Sequence, residues 1–278
     1  MALETITGTC SDLLFGVKRR LLGPNHFRRT RLYGVGTGKT GTHSIAAMFS
    51  DPVRSRHEPE SMKLLEKIFA LQAGRIKEEE LTAWVRRRDR KLALEVDSSH
   101  LNFYILDMLI REFPEARFVL TIRDCYSWCN SVINQWLRFA GKLHAFWPRL
   151  ADLRFRPDIF RHAPEEKLFK EKGLFTLDGY LSHWNEHNGQ VIEKVPKERL
   201  LVVRTEQIQQ EALTIASFAG LPHDAVRLER THEYQNPSKE QFLRQIDRNF
   251  LEAKVERHCR PLMTRFFPEI KSLDDAKL

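Results

Sequence analysis

Short apolar runs alternate with longer stretches of helical periodicity along this chain. The segment "RLYGVG" (31–36) predicts a strand that runs into a glycine loop, and "THSIAAMF" (42–49) predicts a helix directly after it. A second strand is expected at "KLALEV" (91–96). A helix follows at "LNFYILDMLIREF" (101–113), closed by Pro114. The third strand is "ARFVLTIR" (116–123), followed by a helix at "SWCNSVINQWLRF" (127–139). The fourth is "RLLVVR" (199–204), followed by a helix over 207–220 that Gly220 and Pro222 end. Strand and helix in strict alternation predict an α/β fold with a central, mostly parallel sheet flanked by helices.

Residues 138–180 break the rhythm. They hold Phe139, Phe146, Trp147, Phe155, Phe160, Phe169, Phe175 and Tyr180, interleaved with Arg and Lys. Two readings stand side by side: an inserted helical cap over the ligand edge of the sheet, or a helical subdomain with its own small core. One or two further helices are expected beyond 238. The whole chain, 1–278, reads as one domain, since neither repeats nor low-complexity linkers divide it.

Charge narrows the partners. The chain has 45 Lys and Arg against 37 Asp and Glu, a formal +8, which favours anionic ligands without choosing among them. Its four cysteines, Cys10, Cys125, Cys129 and Cys259, form neither a Cys-x-x-Cys pair nor a zinc spacing. No metal is expected, and the thiols suit a reducing compartment. The N-terminal "DLLFGVKRRLL" suits a small amphipathic helix, and its charges follow the apolar run, the reverse of a signal peptide. No stretch reaches the roughly 18 apolar residues of a membrane span. A cytoplasmic protein is therefore expected.

The candidate chemistry begins at "YGVGTGKTGTHS" (33–44). A Walker loop needs glycine, four residues, then Gly-Lys-Ser/Thr. The glycine it requires would stand at 33, and that residue is Tyr33; Gly34 is one residue too near. The loop can still hold an anion. Gly36, Gly38 and Gly41 let the backbone turn and approach closely, while Lys39, Thr40 and Thr42 add a charge and two hydroxyls. Such a set binds a phosphate without requiring Mg²⁺.

The segment "GTGKTGTHS" resembles the 5′-phosphosulfate loop of sulfotransferases that use 3′-phosphoadenosine 5′-phosphosulfate (PAPS), closest to the glycan-modifying branch. The resemblance implies a binding loop of Gly36, Thr37, Gly38, Lys39, Thr40, Gly41, Thr42 and His43. A second motif agrees. Arg123 ends the third strand and Ser131 lies eight residues on, similar to the family's 3′-phosphate site. An arginine fork and a hydroxyl suit phosphate oxygens, whereas Arg123 alone would pass for a strand-end ion pair. The segment 198–222 is also similar, with Arg204 and Glu206 in structural places. The family's later Arg-Lys-Gly element is absent. Lys239, in "THEYQNPSK" (231–239), is the substitute expected to cover the nucleotide.

The resemblance implies in-line transfer of a sulfuryl group to an acceptor hydroxyl, with 3′,5′-adenosine bisphosphate as the product. Lys39 is the expected cation for the leaving oxygens. For the base, three candidates remain open. Glu58 in "SRHEPES" lies nineteen residues past Lys39, a spacing similar to the glycan branch, and is the first choice. His100 lies twenty-three before Arg123, similar to the small-molecule branch, and Asp97 stands at a strand end. His57 and Glu60 complete the set. Each has a plainer reading: Glu58 as a solvated carboxylate, His100 as a helix-start residue, Asp97 as a cap. The acceptor expected is a carbohydrate or a small molecule, with no nucleic acid and no membrane span. Two alternatives fit the same residues. One is an ATP/Mg kinase with Asp97 as metal ligand. The other is a nucleic-acid module using the basic runs 18–31 and 86–91.

Overall fold

The computed structural model describes residues 28–49, 51, 53–139, 144–231 and 240–278. The N-terminal helix expected at 12–22, Cys10 and Lys239 lie outside them. Five parallel strands form one sheet in the order β2-β3-β1-β4-β5: β1 (Leu32–Gly34), β2 (Ser55–His57), β3 (Val96–Ser98), β4 (Arg117–Ile122) and β5 (Leu200–Arg204). β1 lies between β3 and β4, with Gly34 in register with Ser98 and with Val119. From β1 the chain runs to β2 and back to β3 on one side, then crosses over to β4 and β5 on the other. That makes its carboxyl end the switch point where ligands settle in open α/β sheets.

Both faces are covered, as a parallel sheet requires. Leu32, Val96, Val119 and Val203 face α1 (Thr42–Ala47) and α9 (Ala212–Ala219) in one apolar cluster. Tyr33, Val35, Phe118 and Leu120 alternate to the other face. There they meet α2 (Ser61–Gln72), α3 (Glu78–Leu92) and α4 (Leu106–Glu112). A third cluster joins α5 (Cys125–Phe139), α8 (Leu177–Lys194), α10 (Arg248–His258) and α11 (Arg260–Phe266). The segment between α5 and α8 adds α6 (Phe146–Phe155) and α7 (Lys167–Glu171). Its aromatics divide: Phe155, Phe169, Phe175 and Tyr180 join the third cluster, whereas Phe146 and Trp147 pack on the second. Cys125, Cys129 and Cys259 are buried thiols in or beside the third cluster.

Three elements differ from expectation. The strand predicted at 91–96 starts at Val96, because α3 runs on to Leu92. Glu78, Glu79 and Glu80 at its first turn and Arg90 and Lys91 at its last complement the helix dipole, which sustains a helix through the "RRRDRK" run. Ala93, at φ 47°, then breaks it. The loop expected at 55–61 contains β2, a polar edge strand with no apolar run to announce it. The helix predicted at 101–113 opens as a 3-10 helix, His100–Ile105, before α4 begins.

The basic runs are spent inside the molecule. Arg28 and Arg31 bind Asp89, and Arg29 binds Glu95. Arg86 pairs with Glu112, Lys91 with Glu60, and Arg88 with Asp97. The described part of these runs is therefore a set of clamps, not a free cationic stripe. The Arg88–Asp97 pair is buried on both sides, at 2.7 Å, and Arg88 also donates to Pro59 O at 2.7 Å. Breaking a buried pair strands a charge, so Asp97→Ala is expected to cost about 3–5 kcal/mol in urea denaturation. The double variant Arg88→Met/Asp97→Leu should regain most of it; a single variant within about 0.5 kcal/mol of wild type would remove the pair from the fold's energetics.

Candidate active site

The loop after β1 is seated on β4. A methyl group added at Gly36 would overlap Thr121 Oγ1 and stand 2.7 Å from the Thr121 carbonyl oxygen, so only glycine lets the backbone lie there. Thr40 Oγ1 donates to Thr37 O at 2.7 Å and lies 2.9 Å from Thr121 Oγ1, closing the turn. Thr37 and Thr40 are both buried, with their hydroxyls turned to this internal work. Gly41 has φ 95° at the start of α1, where a side chain would also strike Ile208. Lys39 has φ 73°, a left-handed conformation that a lysine adopts only under constraint.

Three side chains that sequence patterns did not single out hold this loop. Trp128 Nε1 donates to Gly38 O at 2.9 Å. Thr205 Oγ1 lies 2.8 Å from Thr40 O and 3.1 Å from Ile122 O. His187 Nε2 donates to Val35 O at 2.7 Å. Each comes from a distant helix or strand end, so no local spacing marks it. Indole and imidazole N–H groups in otherwise apolar helices are the one available signal, since buried ones need an acceptor.

Those same contacts bring Arg123 to the loop. Thr205 bridges Thr40 to Ile122, the residue before Arg123, and Trp128 ties the loop to α5. Arg123 donates from Nε to Ser127 Oγ at 2.9 Å; Ser127 in turn bonds Asp124. Among the described residues no carboxylate forms an ion pair with Arg123. Burial pulls its pKa below the usual arginine value, and the nearby charges of Asp124 and Glu206 do not offset that. Ser131, one turn beyond Ser127 on α5, is buried. Arg204, by contrast, is fully engaged with Glu206 and Glu269.

The candidate bases do not stay separate. His100 Nδ1 lies 2.7 Å from Glu58 Oε1. Glu58 follows β2 at φ 47°, with its amide donating to Ser98 O at 3.0 Å, and this strained turn aims it at His100. Burial raises the Glu58 pKa, but His100, His57 and the charge of Arg154 outweigh it and bring the carboxyl down to about 2. Burial holds the His100 pKa below its ordinary value despite Glu58. The pair at neutral pH is a carboxylate and a neutral imidazole. The proton on Nδ1 faces Glu58, and Nε2 carries the lone pair. That Nε2 is buried and has no hydrogen-bond partner among the described residues. Gly38 is close by: a methyl there would stand 3.9 Å from His100 Nδ1.

Asp97 and Glu60 are occupied elsewhere, and His57 lies beside Glu58, its Nε2 3.6 Å from Oε1. Asp97 is bound by Arg88 and lies near the amide of Asn102, at 3.4 Å. Glu60 is paired with Lys63 and Lys91 at the surface. His57 Nε2 is 3.2 Å from Thr42 Oγ1, its ring 4.9 Å from that of His43, and burial lowers its pKa to about 4. Among the described residues no cluster of His, Cys, Asp or Glu could hold a metal ion, and no helix is long and apolar enough to cross a membrane.

A family model described as a sulfotransferase domain matches residues 31–213 of the 278, which takes in the loop, the Glu58–His100 pair and Arg123. The chain belongs to the sulfotransferase family. It is thus a transferase, and its α/β fold with a central parallel sheet agrees. Among solved structures it resembles a sulfotransferase from Mycobacterium avium at 11% identity and a TM-score of 0.50, over 89% of this chain and 79% of that one. A sulfotransferase from Alicyclobacillus acidocaldarius aligns over 85% of this chain and 96% of its own, at 17% identity and a TM-score of 0.43. Among curated proteins no sequence match is found. In this sulfotransferase the loop is seated tightly on β4. Gly36→Ala is expected to cost about 1–3 kcal/mol by overpacking, measured by chemical denaturation; a value near zero would mean that the loop can leave Thr121 freely.

Proposed function

We propose that the protein transfers a sulfuryl group from PAPS to an acceptor hydroxyl, releasing 3′,5′-adenosine bisphosphate. The observation that carries the reading is the pairing of an anion-seeking loop with Arg123 on one rim. Arg123 is a partly buried guanidinium with no carboxylate of its own among the described residues, next to a loop whose glycines admit close approach. A phosphate is the chemistry that such a guanidinium lacks. Gly36 to His43 would hold the 5′ end of the donor, and Arg123 with Ser131 the 3′-phosphate. Ser127 orients the Arg123 fork. Lys39 neutralises charge on the leaving oxygens, and no metal is required for that role.

Glu58 and His100 act together in this reading. His100 Nε2 takes the proton of the acceptor hydroxyl as its oxygen bonds to sulfur and the bond from sulfur to the bridging oxygen breaks. Glu58 accepts from Nδ1–H, fixes the tautomer and stabilises the imidazolium, the logic of a carboxylate behind a catalytic histidine. Asp97, held by Arg88, serves the fold. The kinase alternative would need Asp97 on a metal, and its carboxylate is already neutralised. The acceptor is a carbohydrate or small-molecule hydroxyl that enters beside α6.

Three outcomes are expected. In calorimetry, wild type binds 3′,5′-adenosine bisphosphate without Mg²⁺, and Arg123→Gln weakens binding about 10–100-fold, the worth of a charged hydrogen-bonded contact. Tight binding of ATP that depends on Mg²⁺, with none of the bisphosphate, would reverse the donor assignment. With labelled PAPS, Glu58→Gln and His100→Ala each lower turnover by about 10²–10⁴-fold while bisphosphate binding persists. Because burial depresses the His100 pKa, the imidazole is a competent base from the alkaline side down past its ordinary value. The acid limb of kcat/KM therefore falls below about pH 6.5; a limb above that value would exclude His100 as the base.

A further inference from the structure

We propose that the acceptor carries an anionic oxo group besides the hydroxyl that is sulfated, and that Arg154 of α6 holds that group. The inference rests on the sulfuryl-transfer reading and adds the class of acceptor: hydroxylated organic acids or esters, with a carboxylate or sulfate set apart from the reacting hydroxyl.

Like Arg123, and unlike the paired arginines around the crevice, Arg154 has no carboxylate partner among the described residues. Arg88 has Asp97, Arg204 has Glu206 and Glu269, and Arg156, two residues on, binds Ser182 and Glu186. Arg154 donates from Nε to the Tyr104 hydroxyl at 3.0 Å, and that is its one hydrogen bond among the described residues. The bond leaves the outer edge of the fork, the edge that engages carboxylate or sulfate in two parallel bonds, without a protein acceptor. Tyr104 belongs to the same 3-10 helix as His100, so the bond docks the guanidinium against the element that bears the base.

The geometry of α6 points the same way. Trp147 lies two turns before Arg154 on the same helix face, and its ring is 5.9 Å from that of His100. Base and guanidinium therefore bracket a stretch on the order of 10 Å along the helix. α8 packs against α6 beside this stretch. His183 stands 5.6 Å from Phe155 and 6.1 Å from Trp128, ring to ring, and His187 stacks on Phe103 at 4.1 Å. Burial keeps both histidines neutral, and the Arg154 charge adds to that. Glu58, which also feels Arg154, is committed to His100. Arg154 thus sits among neutral rings, with no carboxylate bonded to it among the described residues.

The test uses the full chain, labelled PAPS and matched acceptors: glucose, glucuronate and glucose 6-sulfate; and phenol with 3-(4-hydroxyphenyl)propanoate and 4-hydroxyphenyl sulfate. In each set kcat/KM is expected to favour a charged member by about 10-fold or more, and which of the two leads identifies carboxylate or sulfate. Arg154→Gln should bring the charged-to-neutral ratio near one, with the loss in KM. Arg154→Lys, which keeps the charge but not the fork, should keep part of the preference. Thermal melting checks that both variants fold. Equal efficiencies for neutral and charged members in wild type, or a ratio that Arg154→Gln does not move, would overturn the proposal. Should none of these acceptors react, saturation-transfer NMR with the bisphosphate present decides it, and failure of every charged member to bind overturns it. Failure of wild type to bind the bisphosphate at all would instead count against the donor assignment.

Discussion

The close approach at Gly36 is the constraint on which the crevice depends. Without a side chain there, the backbone leaving β1 can lie on the Thr121 hydroxyl and carbonyl of β4. Everything placed around the loop follows from that seat. Trp128 reaches the Gly38 carbonyl because α5 starts right after β4, and Thr205 reaches Thr40 and Ile122 because β5 ends beside β4. A larger residue at 36 would push the loop from β4. The positive φ of Lys39 is a consequence of the same tight turn: the loop is held at both its carbonyls and its hydroxyls, so the backbone of 39 takes up the strain.

The same sheet order explains how two rival bases become one pair. β2 and β3 are adjacent and parallel, with His57 opposite Ser98. The residues that follow each strand, Glu58 and His100, therefore emerge at the same edge. A polar edge strand of three residues sets this alignment, and the Glu58 amide bond to Ser98 O continues it past the end of the ladder. Electrostatics then sorts the pair. Burial acts against charge on both groups, but the carboxylate has His57, His100 and Arg154 around it, whereas His100 has only Glu58 in its favour. The carboxylate keeps its charge and the imidazole stays neutral, the division of labour that general-base chemistry requires.

How much of this was legible in the chain depends on where the information lies. The strands β1 and β4 announce themselves because they are buried on both faces, and β5, a half-buried edge strand, still reads as an apolar run. The Gly36–Ser44 loop and Arg123 with Ser131 are local spacings, so a linear pattern shows them. β2 was not legible, since a polar edge strand has no periodicity of burial. The start of β3 was misplaced, since the helix-favouring charges of α3 carry it through the apolar–basic boundary that suggested a strand. The pairing of Glu58 with His100 joins residues 42 apart. It rests on strand register, which no spacing encodes.

The surplus of positive charge also changes meaning once the pairs are assigned. Composition alone suggested a broad anionic partner. In the structure, most of the arginines before β1 and along α3 are matched by Asp89, Glu95, Asp97 and Glu112, and they fasten the chain segment entering β1 to the far side of the sheet. Such pairs contribute register and rigidity more than net stability, because desolvation offsets much of the Coulomb gain. In the proposed function, the groups that meet anions are specific guanidiniums without a carboxylate partner among the described residues, Arg123 for the donor and Arg154 for the acceptor. On that reading, recognition of anions depends on where internal pairing stops near the crevice, at Arg123 beside the loop and at Arg154 beside the Glu58–His100 pair.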